Sequence, residues 1–209
     1  MTVKAAKRTA EPTGLSRETI CTAALALIEK DGLAAFSTRK LGRILGCEAM
    51  AIYYYYPSKD ALLDAVVDKL MASIRLTTEG GWIAALREVA HAYRQLAHDH
   101  PKAFPLLATR RFSSEGAYGF LEQLFELGHR LGIEDRVAAT FYRVVSSYCN
   151  GFALNELATP PHQTSAQRKR FPRTAAALAW IDPRNLDEMF TFGLELQLTA
   201  LRNLTVGLE

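Results

Sequence analysis

Between Ser16 and Leu204 the apolar side chains return every three or four positions. Nowhere do four to eight residues alternate in the strand manner between turn residues. A chain patterned this way buries one stripe per segment and has no sheet to build, so the expected fold is all-α. The caps divide it. Ser16 opens a first helix with the stripe Ile20, Ala24, Leu27 and Ile28, and Asp31-Gly32 closes it. Phe36 precedes Ser37, and Leu41 stands four places after that cap, the arrangement of a hydrophobic staple. Gly46 ends this second helix early, and the short segment AMAIYYY follows before Pro57. Ser58 then caps a connecting helix expected over 58–77.

Further on, the period predicts helices from Trp82 to about His100, Lys102 to Thr109, Ser114 to Leu131, Glu134 to Leu157 and Leu186 to Leu204. The polar, proline-bearing and basic stretch 159–173 reads as a loop. The expected organisation is a flexible basic arm over 1–15, a three-helix unit over 16–60 and a helical bundle over 78–209.

Composition excludes several classes. With 209 residues the chain is long enough for one or two domains with a core that needs no staples. Its longest uncharged run, Val144 to Asn155, is 12 residues, well short of the roughly 20 that span a bilayer. The first fourteen residues hold no apolar stretch that would serve as a secretory signal, so a cytoplasmic chain is expected. Three cysteines, far apart and without CxxC spacing, make neither a disulfide framework nor a thiolate zinc site. His98-Asp99-His100 does not make a metal site either, because neighbours one and two apart on a helix do not face each other. Neither metal nor cofactor is expected. The net charge of +3 is uneven: residues 1–60 carry nine Lys/Arg against six Asp/Glu, whereas 61–209 carry sixteen of each.

That charge falls on the stretch FSTRKLGRILGCEAMAIYYYYPSK, Phe36 to Lys59. Two short helices around a glycine turn are the helix-turn-helix, whose second helix enters the major groove of DNA. Leu41, Leu45, Ile52 and Tyr56 are placed to pack the pair. Tyr53, Tyr54 and Tyr55 cannot all be buried on a helix of two turns, and exposed aromatics beside Arg39, Lys40 and Lys59 call for a partner. The hydroxyls and backbone N–H groups of Ser37 and Thr38 suit a phosphate.

Residues 16–74 resemble the DNA-binding domain of the tetracycline-repressor (TetR) family. The resemblance rests on Ala24, Gly32, Phe36-Ser37-Thr38-Arg39-Lys40-Leu41, Leu45-Gly46-Cys47 and Ile52-Tyr53-Tyr54-Tyr55-Tyr56-Pro57-Ser58-Lys59-Asp60-Ala61-Leu62. It implies a ligand-responsive regulator, usually a repressor, that binds a palindromic double-stranded operator as a homodimer. Carried over by position, Thr38, Arg39, Ala49, Met50, Ala51 and Tyr54 approach the groove, and Tyr53, Tyr55 and Lys59 hold phosphates. Where many members have a polar residue, this chain has Ala49, Met50 and Ala51, which touch thymine methyls but form no bidentate hydrogen bonds. Arg39 is then the best candidate for direct base reading.

The neutral remainder is too apolar to be an appendage. In the last helix Met189, Phe190, Phe192, Leu194, Leu196, Leu198 and Leu201 exceed what one intramolecular face uses, which points to an isologous four-helix interface. Tyr93, Thr109, Phe112, Phe125, Tyr142, Tyr148 and Asn155 are candidate walls for an unknown small-molecule effector. Arg94 and Arg143 are candidate anion holders, and Glu156 has no evident partner. Two other classes stay open. One is an all-helical enzyme or small-molecule-binding protein without DNA binding, although GxSxG, HExxH and a phosphate loop are all missing. The other is a non-specific DNA-packaging protein, for which the net charge is weak.

Overall fold

The computed structural model describes residues 14–77, 79–110, 114–158 and 163–204. Among these there is no strand. The expected arm over 1–15 lies outside them except for its last two residues.

The head of the molecule is α1 (Arg17–Asp31), α2 (Thr38–Leu45) and α3 (Ala49–Tyr55). Two of these starts follow from a serine cap: the Ser16 and Ser37 hydroxyls accept the backbone N–H groups of Thr19 and Lys40, whereas α3 begins after Glu48 without a side-chain cap bond. A connecting helix, α4 (Lys59–Met71), is capped in the same way by Ser58, which accepts from Ala61 N. It stops six residues before the expected Thr77. The Ser73 hydroxyl donates to the Leu70 carbonyl, and Ile74 N closes a tight turn on Met71 O, so the last carbonyls are satisfied without another helical turn.

The bundle follows: α5 (Gly81–Asp99), α6 (Phe104–Arg110), α7 (Glu115–Arg130), α8 (Asp135–Leu157), α9 (Ser165–Arg170), α10 (Pro172–Leu178) and α11 (Leu186–Leu204). The 159–173 stretch is therefore not all loop. Thr164 and Gln167 form a reciprocal capping box that starts α9, and Pro172 sits at the first turn of α10, where its missing N–H is harmless.

One apolar cluster runs from Ile20 in α1 through Val66 in α4 and Leu106 in α6 to Leu201 in α11. The helix pairs α5–α8 and α8–α11 form the centre of the bundle, and α4 packs against α1 on one side and against α6 and α7 on the other. Polar ties fasten that second side. Arg110 bridges Asp60 and Asp64, and the Ser114 hydroxyl donates to Asp68, so aspartates one helical turn apart along α4 are all held by the α6–α7 junction.

Candidate nucleic-acid interface and effector cavity

The turn between α2 and α3 is unusually tight. Gly46 ends α2 at φ +67°, a left-handed conformation that glycine adopts without strain. Gly42 lets the chain return close to α2: Cys47 N donates to Gly42 O at 2.9 Å, and a Cβ on Gly42 would lie 2.7 Å from the Cys47 carbonyl oxygen. Leu41, Ile52 and Tyr56 are buried between the helices, as their spacing predicts, and Leu45 packs at the edge.

With those residues inward, α3 turns Met50 (72% exposed) and Tyr54 (78% exposed) outward, one helical turn apart. Ala49 and Ala51 flank them, half-buried. The outer face of α2 presents Arg39, Arg43 and Ile44. Arg43 and Ile44 were not among the expected contacts, although Arg43 lies four places after Arg39 and so shares its face.

The remaining candidates are engaged within the chain. Ser37 is spent on its cap. Thr38 Oγ1 and the Tyr53 hydroxyl lie 3.1 Å apart, and Tyr55 donates to the Leu15 carbonyl at 3.0 Å. Lys59 Nζ donates to Phe36 O at 3.3 Å and stands 5.5 Å from the centre of the Phe36 ring. Lys40 pairs with Asp31 at 2.5 Å, which holds that carboxyl below its ordinary range. Tyr56 donates to Arg17 O at 2.8 Å, and the Arg17 guanidinium lies 4.3 Å above the Tyr56 ring while donating to Tyr55 O. Arg17 thus stitches the C-terminal end of α3 to the first turn of α1.

A cavity opens where α4 ends against α5, α7 and α8, and Tyr93 and Tyr142 are both in its wall. The other expected wall residues lie elsewhere. The Thr109 hydroxyl turns back to Pro105 O, and Asn155 is exposed on α8. Phe125 meets Tyr142 edge-on but borders a separate surface groove with Glu122, Glu126 and His129. Tyr148 faces α11, donating to Phe190 O at 2.9 Å and stacking on the Phe190 ring. Phe112 lies outside the described residues.

Arg94 does not await an anion. Its guanidinium meets both oxygens of Glu156, at 2.7 and 2.6 Å, reaches Asp187 at 2.8 Å, and lies 4.9 Å over the Phe190 ring. Glu156 therefore has a partner, and its hydrogen bond raises the Arg94 pKa above the ordinary arginine value. Arg143 is exposed.

Two short helices fixed about a glycine turn, on a head joined through α4 to a larger bundle, define an all-α helix-turn-helix protein. The family model for the tetracyclin repressor-like C-terminal domain matches residues 76–204, and that for bacterial regulatory proteins of the tetR family matches 20–66. The chain belongs to the TetR family. It is 28% identical to the class D tetracycline repressor protein of Escherichia coli, over 92% of this chain and 95% of that one. To the HTH-type transcriptional repressor DrrR1 of Streptomyces coeruleorubidus it is 26% identical over 74% of its own length and 57% of the relative's, so it spans little more than half of that protein. The crystal structure of a possible TetR family transcriptional regulator from Streptomyces coelicolor superimposes with a TM-score of 0.76 at 24% identity, covering 90% of this chain and all of that one. At that identity the likeness is one of fold. Among the described residues no helix is long and apolar enough to cross a membrane.

Proposed function

We propose that this chain is a ligand-responsive, DNA-binding transcriptional regulator, a homodimeric repressor released from a palindromic operator by a small molecule. The observation that carries it is the outward face of the head: Met50 and Tyr54 on α3 beside Arg39 and Arg43 on α2, presented by a turn that Gly42 holds tight. The repressor names of both relatives point the same way. In functional terms, residues 16–60 read DNA, the connecting helix transmits, and 78–209 pair the subunits and bind the effector.

Thr38, Arg39, Ala49, Met50, Ala51 and Tyr54 face the groove in this reading. Arg39 is suited to guanine O6 and N7, and Met50 and the alanines to thymine methyls. Ser37, Lys40, Tyr53, Tyr55 and Lys59 serve the phosphates. Of these, Lys40, Tyr53, Tyr55 and Lys59 exchange the internal partners described above for the backbone of the duplex. Pairing of two subunits is supported by apolar surface left on α11, where Phe192 is 66% and Leu196 57% exposed while Phe190, Leu194, Leu198 and Leu201 fill the core. An effector that favours a shifted α4 would carry the two reading helices out of register with successive grooves.

The test is a gel shift with DNA from upstream of the protein's own gene, for the wild type and Arg39→Ala. A retarded complex is expected, and the variant should lose roughly 1–3 kcal/mol of preference for operator over random DNA. No complex with wild type would sink the proposal. Uniform weakening by Arg39→Ala with preference intact would remove Arg39 from direct reading.

A further inference from the structure

The head is held to the bundle at a second place besides α4. The Glu29 carboxylate, in the last turn of α1, accepts Ala103 N at 2.9 Å and Lys102 N at 3.4 Å from the turn that leads into α6. Lys102 answers in the opposite direction, its Nζ donating to Lys30 O at 2.6 Å. His100 Nδ1 faces the same carboxylate at 3.8 Å. A carboxylate thus meets amides at the start of α6, and an ammonium meets a carbonyl at the end of α1, the charges that those two helix ends favour.

The strut on the bundle side is firmly seated, since Phe104, Leu106 and Leu107 of α6 are buried in the core. Its other end carries Arg110, which grips Asp60 and Asp64 on α4. The seven residues of α6, about 10 Å of helix, therefore reach from α1 of the head to the connecting helix. A head fastened along α4 alone could still turn about the axis of that helix. The hold on α1 lies off that axis and stops the turn. It is passed on to the reading side, because Asp31, two residues after Glu29, pairs with Lys40 on α2. At one to two helix spacings from α4, roughly 10–20 Å, a turn of about 10–20° would carry a reading face ~3.4 Å, one base-pair step.

We infer that Glu29 is a positioning residue for operator recognition: by clamping α1 to the start of α6 it fixes the angle of each head on its bundle, and with it the half-site separation that a dimer accepts. This rests on the regulator reading above and deepens it. Glu29 touches no DNA in this reading and acts through orientation alone.

Footprinting on DNA from upstream of the protein's own gene defines the operator, and gel shifts then compare it with versions one base pair longer and one shorter between the half-sites. Each change turns one half-site by about 35° relative to the other. The wild type should lose roughly tenfold or more in affinity on either altered spacing. Glu29→Ala should weaken on the native operator and narrow that ratio to within about threefold, whereas Glu29→Gln, which keeps an oxygen for the amides, should retain most of the discrimination. Thermal melts establish that each variant is folded. Should Glu29→Ala fail to fold, Lys102→Met, which removes only the bond to Lys30 O, is read by the same ratio. A wild type indifferent to spacing, a folded Glu29→Ala that weakens equally on all three DNAs, or a Glu29→Gln as tolerant as the alanine variant would overturn the inference while leaving the regulator reading in place. No wild-type complex with the upstream DNA removes that reading and this inference with it.

Discussion

Gly42 marks the residue at which the head has least room. Its Cα faces the Cys47 carbonyl, and Gly42→Ala should force the turn apart at about 1–3 kcal/mol, read as a lower urea midpoint with loss of operator binding. An unchanged midpoint would mean that the turn shifts without strain. Arg94 is the corresponding position in the bundle. Breaking a buried pair costs about 3–5 kcal/mol, so Glu156→Gln should lower the melting temperature markedly, whereas Arg94→Met with Glu156→Leu should recover much of that loss. Such positions differ in how readily a sequence shows them. Ser37, Gly46, Leu41 and Ile52 act on near neighbours, and spacing reveals them. The partner of Glu156 lies 62 residues earlier on another helix, and no local pattern joins them. The tyrosine run shows the same boundary: its spacing puts Tyr54 outside and Tyr56 inside, but that Tyr55 reaches Leu15 depends on how α1 and α3 meet.

At the scale of elements, a serine cap before a strong stripe gives the start of a helix almost to the residue, and α3 coincides with the segment AMAIYYY. The misreadings share a cause. Over 159–173 the prolines and charges outweighed the Thr164…Gln167 capping signature, which was present and sufficient to start α9. On α4 the apolar spacing continued to Ile74, which is indeed buried, but from a turn and not a helix. Between elements, Arg87 and Glu195 tie α5 to α11, at 2.5 and 2.9 Å, and the hydrogen bond holds the Glu195 carboxyl below its ordinary range. A carboxylate depressed in the folded state stabilises above its unfolded pKa, and that contribution is lost as pH falls through the folded value. The wild type should therefore lose more melting temperature than Glu195→Gln between about pH 5 and pH 3. Both partners are part-exposed, so the difference should be within about 1 kcal/mol. Parallel curves for the two proteins would show that the tie is inert.

On the scale of the molecule, the exposed Phe192 and Leu196 predict a dimer that Phe192→Asp with Leu196→Asp converts to monomer, measured by sedimentation velocity. Operator affinity should fall with it, because in the proposed reading a single head would make few phosphate contacts. A variant that stays dimeric would place the interface elsewhere.

The aspartates of α4 carry a consequence for how this protein can be recombined. Asp60 and Asp64 are gripped by Arg110, and Asp68 by Ser114, while the same helix closes the core beneath α1. The reading head is thus not a detachable cassette. Cut at the end of α4, it would lose the α6 and α7 packing of that helix and leave three carboxylates without the partners described above. A chimera that grafts this head onto another bundle would inherit its DNA preference, but it would remain under effector control only if the donor's Arg110 and Ser114 travelled with it.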